Sequence, residues 1–310
     1  MSYKVAIVGG GTCGLYLAWK LSLLGHSVTV FEKKERIGKE ACSGLFSERI
    51  LDFVPGSEDL IKNRISRTLI NFPRKRVEVK FGKEMFVINH WELDRLLAGL
   101  AKKSGAKITL NRAVTSFPLG FDRIIGCDGA GSFIRKGLNL KNPNLRLGIL
   151  GFIPQKDTSS FVETWAVKNG FIWKVPRGEE TEYGIMASLS EAKILLDGFL
   201  RRRNITIERV KSALIPQSLI IPFNDSITLC GDAAGLTKPW SGGGVIWSLT
   251  SANILLKNFP NFIKYKKEVK SVFLKKIIIS KIITRSVYLL GFKAPWLLPK
   301  SKKIESDFLL

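Results

Sequence analysis

The sequence predicts an α/β protein: a parallel-sheet domain assembled from separated segments, a mostly β domain inserted into it, and a helical tail. Three observations carry this expectation. The chain opens on a short apolar strand, a glycine turn and an apolar-faced helix. Apolar strands that run into Asp-Gly or Gly-Asp recur near residues 127 and 231, far apart in the chain. Between them, from about 145 to 221, β-prone segments dominate and helical spacing is confined to 190–203.

Taken in order, Lys4-Val-Ala-Ile-Val8 is the first strand. Leu15, Leu17, Ala18, Leu21 and Leu24 then recur at helical spacing over Gly14 to Leu24, and Gly25 ends that helix. Ser27 to Phe31 makes a second strand, closed by Glu32, and 33–60 reads as a loop with a short helix. Alternation over 65–90 predicts strands, including Val77 to Phe81. A helix follows over Trp91 to Lys103, then strands near Lys107 to Leu110 and Arg123 to Cys127. Ser226 to Gly231 returns as a strand, and a Gly-rich loop opens a helix over about 243–256. The expected organisation is 1–64, 91–144 and 222–257 for the first domain, 65–90 and 145–221 for the β-rich domain, and 258–310 for a basic amphipathic helical tail.

At 310 residues the chain is long enough for one large or two joined domains. A net charge of +23 points to anionic partners and says nothing of fold. Cys13, Cys42, Cys127 and Cys230 form no CxxC pair, and His26 and His90 are the two histidines, so no metal site is expected. Three of these cysteines, Cys13, Cys127 and Cys230, sit at glycine turns or strand ends and read as packing residues in a reducing compartment. The opening apolar run lacks a cleavage pattern, and no apolar window is long enough to span a bilayer, so an intracellular protein is expected.

The turn Gly9-Gly10-Gly11-Thr12-Cys13-Gly14 is a G-x-G-x-x-G between strand and helix. Gly9 permits the tight turn, Gly11 lets backbone approach a pyrophosphate, and Gly14 allows close helix–strand packing; the helix N-terminus supplies amides and a positive dipole. Glu32, eighteen residues past Gly14, is placed to accept from an adenosine ribose. Two further runs select the dinucleotide. Arg123-Ile-Ile-Gly-Cys-Asp128-Gly129-Ala-Gly-Ser132, followed by Arg135, resembles the DG fingerprint of flavoprotein hydroxylases; Leu229-Cys-Gly231-Asp232-Ala-Ala-Gly235, followed by Pro239 and Gly242-Gly243-Gly244, resembles their GD motif. Asp232 can hold a ribityl hydroxyl, and amides at Gly243, Gly244 and Val245 can face the N1–C2 edge of a flavin, where reduction places negative charge. The expected cofactor is FAD, in a Rossmann-like domain of the glutathione-reductase/hydroxylase type.

Beyond these motifs the chain resembles, over residues 1–256, the geranylgeranyl reductase family. Ala41-Cys42-Ser43-Gly44 is similar to the Cys-containing loop that family places near the isoalloxazine. Phe171-Ile-Trp173-Lys-Val-Pro176-Arg-Gly178 is similar to its aromatic-x-Trp-x-φ-Pro-x-Gly substrate motif, φ being apolar. The resemblance implies a reductase of isolated double bonds in prenyl chains, acting on a prenylated lipid or prenyl diphosphate. Such an alkene is unpolarised, so hydride delivery needs a proton for the other carbon, in a long apolar tunnel with water excluded. Phe171 and Trp173, two apart on a strand, would wall that tunnel, with Pro176 and Gly178 fixing the turn behind them. Cys42, or a water it holds, would help deliver the proton. Relatives usually carry Arg where His90 stands, so His90 or Arg95 is expected to contact the cofactor.

The tail from Lys257 to Lys293 holds ten basic residues against a single acid, Glu268. Val269, Phe273, Ile277, Ile282, Val287 and Leu290 are interleaved at roughly helical spacing, and Trp296 lies near the end. This suits the headgroup plane of an anionic membrane, on its cytoplasmic side; the alternative is a helix packed on the domain with a solvated Lys face. No recognition module for nucleic acid accompanies the charge. No second strand–GxGxxG–helix unit is visible, so NAD(P)H must visit the flavin without its own domain, or an acidic ferredoxin supplies the electrons. A flavin-dependent monooxygenase or halogenase shares these motifs and is the rival reading, with a non-enzymatic electron-transfer role behind it.

Overall fold

The structure is a computed structural model that describes residues 1–39 and 41–307. Glu40 and residues 308–310, which fall within the expected first domain and tail, lie outside the described residues.

The apolar run at the N-terminus forms β1 (Lys4–Val8), whose last four residues are buried. It leads through the glycine turn into α1 (Thr12–Leu23) and back to β2 (Ser27–Phe31). After β3 (Leu45–Ser47) and a short α2 (Ile50–Phe53) come the long hairpin strands β4 (Ile61–Phe72) and β5 (Lys75–Ile88). The chain then builds α3 (His90–Lys103), β6 (Lys107–Thr109), β7 (Arg123–Gly126) and α4 (Phe133–Gly137). An antiparallel run follows: β8 (Asn144–Ile153), β9 (Phe161–Val167), β10 (Gly170–Pro176) and β11 (Thr181–Ala187), then α5 (Ala192–Arg202) and β12 (Glu208–Gln217). The last elements are β13 (Ile227–Leu229), α6 (Val245–Asn258), α7 (Phe262–Lys293) and β14 (Ser301–Ile304).

Two sheets result. The first has five strands in the order β13-β7-β1-β2-β6, with every pairing parallel. Its central strands are buried on both faces, as a doubly wound sheet requires. The second has nine strands, ordered β12-β8-β11-β10-β9-β4-β5-β14, with β3 added against β5.

Several details depart from the sequence expectation. Leu45–Ser47 was expected within a loop of the first domain; it pairs with β5 and so joins the second sheet. Three residues carry too little alternation to announce a strand, and β5 supplies the pairing. The stretch from 258 onward, expected as a helical tail, is helical only in part. Ser301–Ile304 lies parallel to Glu78–Phe81 on the edge of the second sheet. Asp307 is fully buried, its carboxylate accepting from Ser47 and Lys238 and its carbonyl from Trp247 Nε1 (2.7 Å).

Nor is α7 free of the domain. Phe262, Tyr265, Val269, Phe273 and Ile277 are buried in the main core beside α1 and α6. Val287 and Leu290 pack against a smaller cluster around Phe72, Val77 and Val79 on the second sheet. Five of the six apolar residues that marked the tail as amphipathic therefore face protein, and Ile282 faces solvent.

Candidate functional site

The glycine turn is fixed by contact. A Cβ on Gly14 would lie 2.1 Å from the carbonyl oxygen of Gly9, and one on Gly9 would lie 2.4 Å from that of Cys127. Before Gly11, by contrast, no atom lies within 4 Å of a Cβ position. No side chain caps α1, so the amides of its first turn point outward unsatisfied by protein. This is the cradle a pyrophosphate needs. Glu32 closes β2 as expected, with Oε2 accepting from the Gly10 amide (2.7 Å) and Oε1 from Lys34 N (2.9 Å). Each carboxylate oxygen keeps a lone pair for a ribose hydroxyl.

At the second half of the site, Asp128 Oδ2 caps α4 through Phe133 N (2.7 Å) and Ile134 N (3.2 Å), while its Oδ1 is buried with no hydrogen-bond partner. Asp232 lies under the start of α6, where a Cβ on Gly244 would come within 3.1 Å of its Oδ1. No side chain caps α6 either; the Gly243 amide donates to Ser241 Oγ (3.3 Å), and the Gly244 and Val245 amides are available to an acceptor. A carboxylate, a helix N-terminus and an open glycine cradle at the ends of parallel strands fit FAD. The ribose and pyrophosphate would lie on Glu32 and α1, and the flavin on Asp232 and α6. Lys39, which the sequence reading passed over, reaches the same carboxylate (3.3 Å), and the Asp232 charge holds its ammonium well above its ordinary pKa.

An open cavity of about 870 Å³ runs alongside. His90, Arg95 and Cys42 all line it, as do Arg36, Phe152 and Arg177. Arg95 stacks over Trp91 at 5.6 Å. His90 is buried, and its Nε2 lies 2.7 Å from Thr12 Oγ1, at the start of α1. The same hydroxyl donates to Asp94 Oδ1 (2.6 Å), which lies one turn beyond His90 on α3 and 3.5 Å from its Nε2. His90 Nδ1 is buried without a hydrogen-bond partner. Burial would push the imidazole pKa down, but Asp94 and the Cys42 thiol outweigh it and lift His90 to about 10. Burial would likewise push Cys42 up; His90, Lys39 and the Gly44 amide (3.4 Å from Sγ) hold it below the ordinary thiol value. The other three thiols all lie above that value. Cys13 and Cys127 face each other, and burial is the largest cause for Cys230.

Phe171 and Trp173 share one face of β10, ring centroids 5.7 Å apart, but they do not line this cavity. They pack with Met186 and Ile215 in a separate cluster, which meets the flavin loop where a Cβ on Gly242 would strike Met186 Sδ. Phe152 belongs to both regions. The turn after β10 is fixed as the motif suggests: the carbonyl of Pro176 accepts from Asn63 (3.1 Å), and Gly178 bridges Asp157. Arg177, between them, is buried and donates to the carbonyl of Ser43, to Asn89 Oδ1 (2.6 Å) and to Glu182 Oε2 (3.0 Å). It thereby pins the Cys42-Ser43-Gly44 loop to β10.

The NAD(P)-binding Rossmann-like domain family matches residues 7–53. The digeranylgeranylglycerophospholipid reductase of Methanococcus vannielii is 25% identical over 79% of this chain and 73% of its own. A geranylgeranyl bacteriochlorophyll reductase-like protein from Thermoplasma acidophilum superposes with a TM-score of 0.82 at 22% identity, covering 93% of this chain and 88% of that one. A point mutant of the halogenase PltM, solved in complex with FAD, superposes with a TM-score of 0.69 at 13% identity over 94% of this chain and 77% of that one. Motifs, cradle and likeness agree: the chain is an FAD-dependent oxidoreductase that resembles the geranylgeranyl reductase family.

Proposed function

We propose that this enzyme saturates carbon–carbon double bonds in geranylgeranyl chains, in membrane-lipid biosynthesis, acting as a peripheral protein at the cytoplasmic face of the membrane. The observation that carries the reading is the Arg177 clamp, which holds the Cys42 loop to the strand bearing Phe171 and Trp173. Bound FAD, once reduced, supplies a hydride to one alkene carbon. The chain's own part is the proton for the other carbon. His90, which lines the same cavity as Cys42, would carry that proton on its imidazole, and Thr12 and Asp94 fix the ring. Phe152, which lines the cavity and packs with the Phe171–Trp173 cluster, offers the apolar wall to the chain being reduced. Electrons come from NAD(P)H or from a small acidic ferredoxin suited to the +23 charge.

The test is lipid mass spectrometry after incubating dithionite-reduced, FAD-loaded enzyme with a geranylgeranylated glycerophospholipid in detergent. Mass gains in steps of two hydrogens are expected. No gain with substrate bound and flavin reduced would remove the reading. A second reading, a flavin monooxygenase or halogenase, draws on the halogenase likeness and on the run Gly170 to Pro176. Oxygen-dependent NADPH consumption with a hydroxylated or chlorinated product would favour it.

A further inference from the structure

We infer that the outward face of the distal half of α7, with the turn that follows it, is a bilayer-seating surface for anionic lipid. The inference rests on the membrane-lipid reading only for its link to turnover; the surface itself stands on three observations.

First, the exposed side of this helix is apolar. Positions buried against protein recur at 265, 269, 273, 277 and 280. Offset from them by about half a turn, Leu274, Ile278, Ile282, Leu289 and Phe292 face solvent, Ile282 at 59% and Leu289 at 63% of full exposure. Trp296 and Leu297 continue the face in the turn Pro295–Leu297, Trp296 at 72%. A soluble face opposite a packed one is ordinarily polar, so an apolar stripe there marks a contact surface.

Second, the charges around the stripe have one sign. Lys275, Lys281, Arg285 and Lys293 are set among the apolar residues, and no acid occurs between Glu268 and Glu305. This selects the occupant. A second copy of a chain with net charge +23 would bring cation against cation. A nucleic acid would satisfy the lysines and leave the isoleucines in water. An anionic bilayer accepts both, with headgroups for the cations and the acyl boundary for the apolar side chains and Trp296. No helix of the described residues is long and apolar enough to cross a membrane, so the helix would lie in the interface plane.

Third, the surface sits beside the substrate strand. Tyr288, on the inner side of the same stretch, donates its hydroxyl to the carbonyl of Gly170 (2.7 Å), the residue before Phe171. A prenyl chain leaving the bilayer at this helix would meet β10 directly.

The test is co-sedimentation of the full-length, FAD-loaded protein with phosphatidylcholine vesicles, with and without phosphatidylglycerol. The comparison is wild type, Ile278→Glu/Ile282→Glu, and Leu119→Glu, the last altering an exposed apolar residue outside α7. The expected result is salt-sensitive binding of wild type to the anionic vesicles, weakened at least about tenfold in the double variant and unchanged in Leu119→Glu. Retained flavin and an unchanged melting temperature show that the double variant is folded. Failure of wild type to bind anionic vesicles, or equal binding by the double variant, would overturn the proposal. So would a change in oligomeric state with vesicle binding intact, which assigns the stripe to a second copy. The double variant should keep its rate on detergent-dispersed lipid and lose it on lipid embedded in vesicles. No turnover in detergent by wild type would reject the functional reading alone, while sedimentation still judges the surface.

Discussion

Arg177 and Glu182 form a buried ion pair, Nη1 to Oε2 3.0 Å, with almost no water contact on either side chain. Burial lifts Glu182 to about 7 against the pull of Arg177, and its other oxygen accepts from Trp173 Nε1 (2.7 Å). The pair thus joins the Trp173 strand to the Cys42 loop, and removing its cation should be felt at both.

Arg177→Ala should cost about 3 kcal/mol at alkaline pH. Wild-type Glu182 stays protonated up to about 7, and with the cation gone it stays protonated to higher pH still. The penalty should therefore be flat below about 7 and grow as pH rises above it. Urea unfolding at several pH values measures this, and adding Glu182→Gln should flatten the pH dependence. A penalty independent of pH would mean that the lost clamp on Ser43 and Asn89, not the orphaned carboxyl, sets the cost.

His90 contributes stability with the opposite charge but a related pH course. Its folded pKa, near 10, lies above that of an unfolded histidine at about 6.5. The stabilisation is complete below about 6.5 and is lost as pH rises toward 10, so the melting temperature should fall across that window. His90→Gln should remove much of the slope.

The same substitution should show at Cys42. In the wild type, iodoacetamide at neutral pH should modify Cys42 ahead of Cys13, Cys127 and Cys230, whose thiols are held protonated. In His90→Gln the reaction should slow, because the thiolate loses the imidazolium charge that holds its pKa down. Peptide mapping reads both. Equal labelling of the four thiols would discard the pair.

The glycine turn separates binding from folding. Gly14→Ala forces a Cβ against the Gly9 carbonyl, where no side chain can yield, and should cost about 3 kcal/mol. Gly11→Ala meets no protein atom and should leave the apoprotein's stability within about 0.5 kcal/mol of wild type. It should still weaken FAD binding, because the methyl occupies the space a pyrophosphate approaches. Thermal melts with and without FAD distinguish the two.

At Gly291 two effects compete. Alanine favours a helix over glycine by about 1 kcal/mol. A Cβ there would lie 2.1 Å from the Phe72 ring, and overpacking costs about 1–3 kcal/mol. The clash should win, giving a net loss of about 1 kcal/mol by denaturant unfolding.

How much of this was legible in the sequence depends on how local each signal is. The βαβ unit, the two Asp-containing strand ends and the Gly242–Gly244 loop each declare themselves within a few residues, and the first sheet follows from them. Thr12, Lys39, Asp94 and Arg177 were invisible as site residues, because what gives each a role lies far along the chain. Arg177 meets Ser43 across 134 positions, and Thr12 meets Asp94 across 82. Glu182 shows the limit: nothing in Thr181–Ala187 marks one position as needing a cation five residues upstream. The tail misled for a different reason. Helical spacing of apolar residues identifies a stripe, but α7 carries two, and only packing says which faces the protein.

That helix is secured along its length. Asn261 caps its start through Lys264 N (2.9 Å), Tyr265 donates to the Leu229 carbonyl (3.0 Å), and beyond its end the chain returns to pair with Glu78–Phe81 and to bury Asp307 beside Lys238. An element clamped in this way cannot swing on a hinge. Whatever surface its outer side meets, the whole molecule meets at one tilt, as a hull follows its keel, and the mouth of the cavity is aimed by the same stroke.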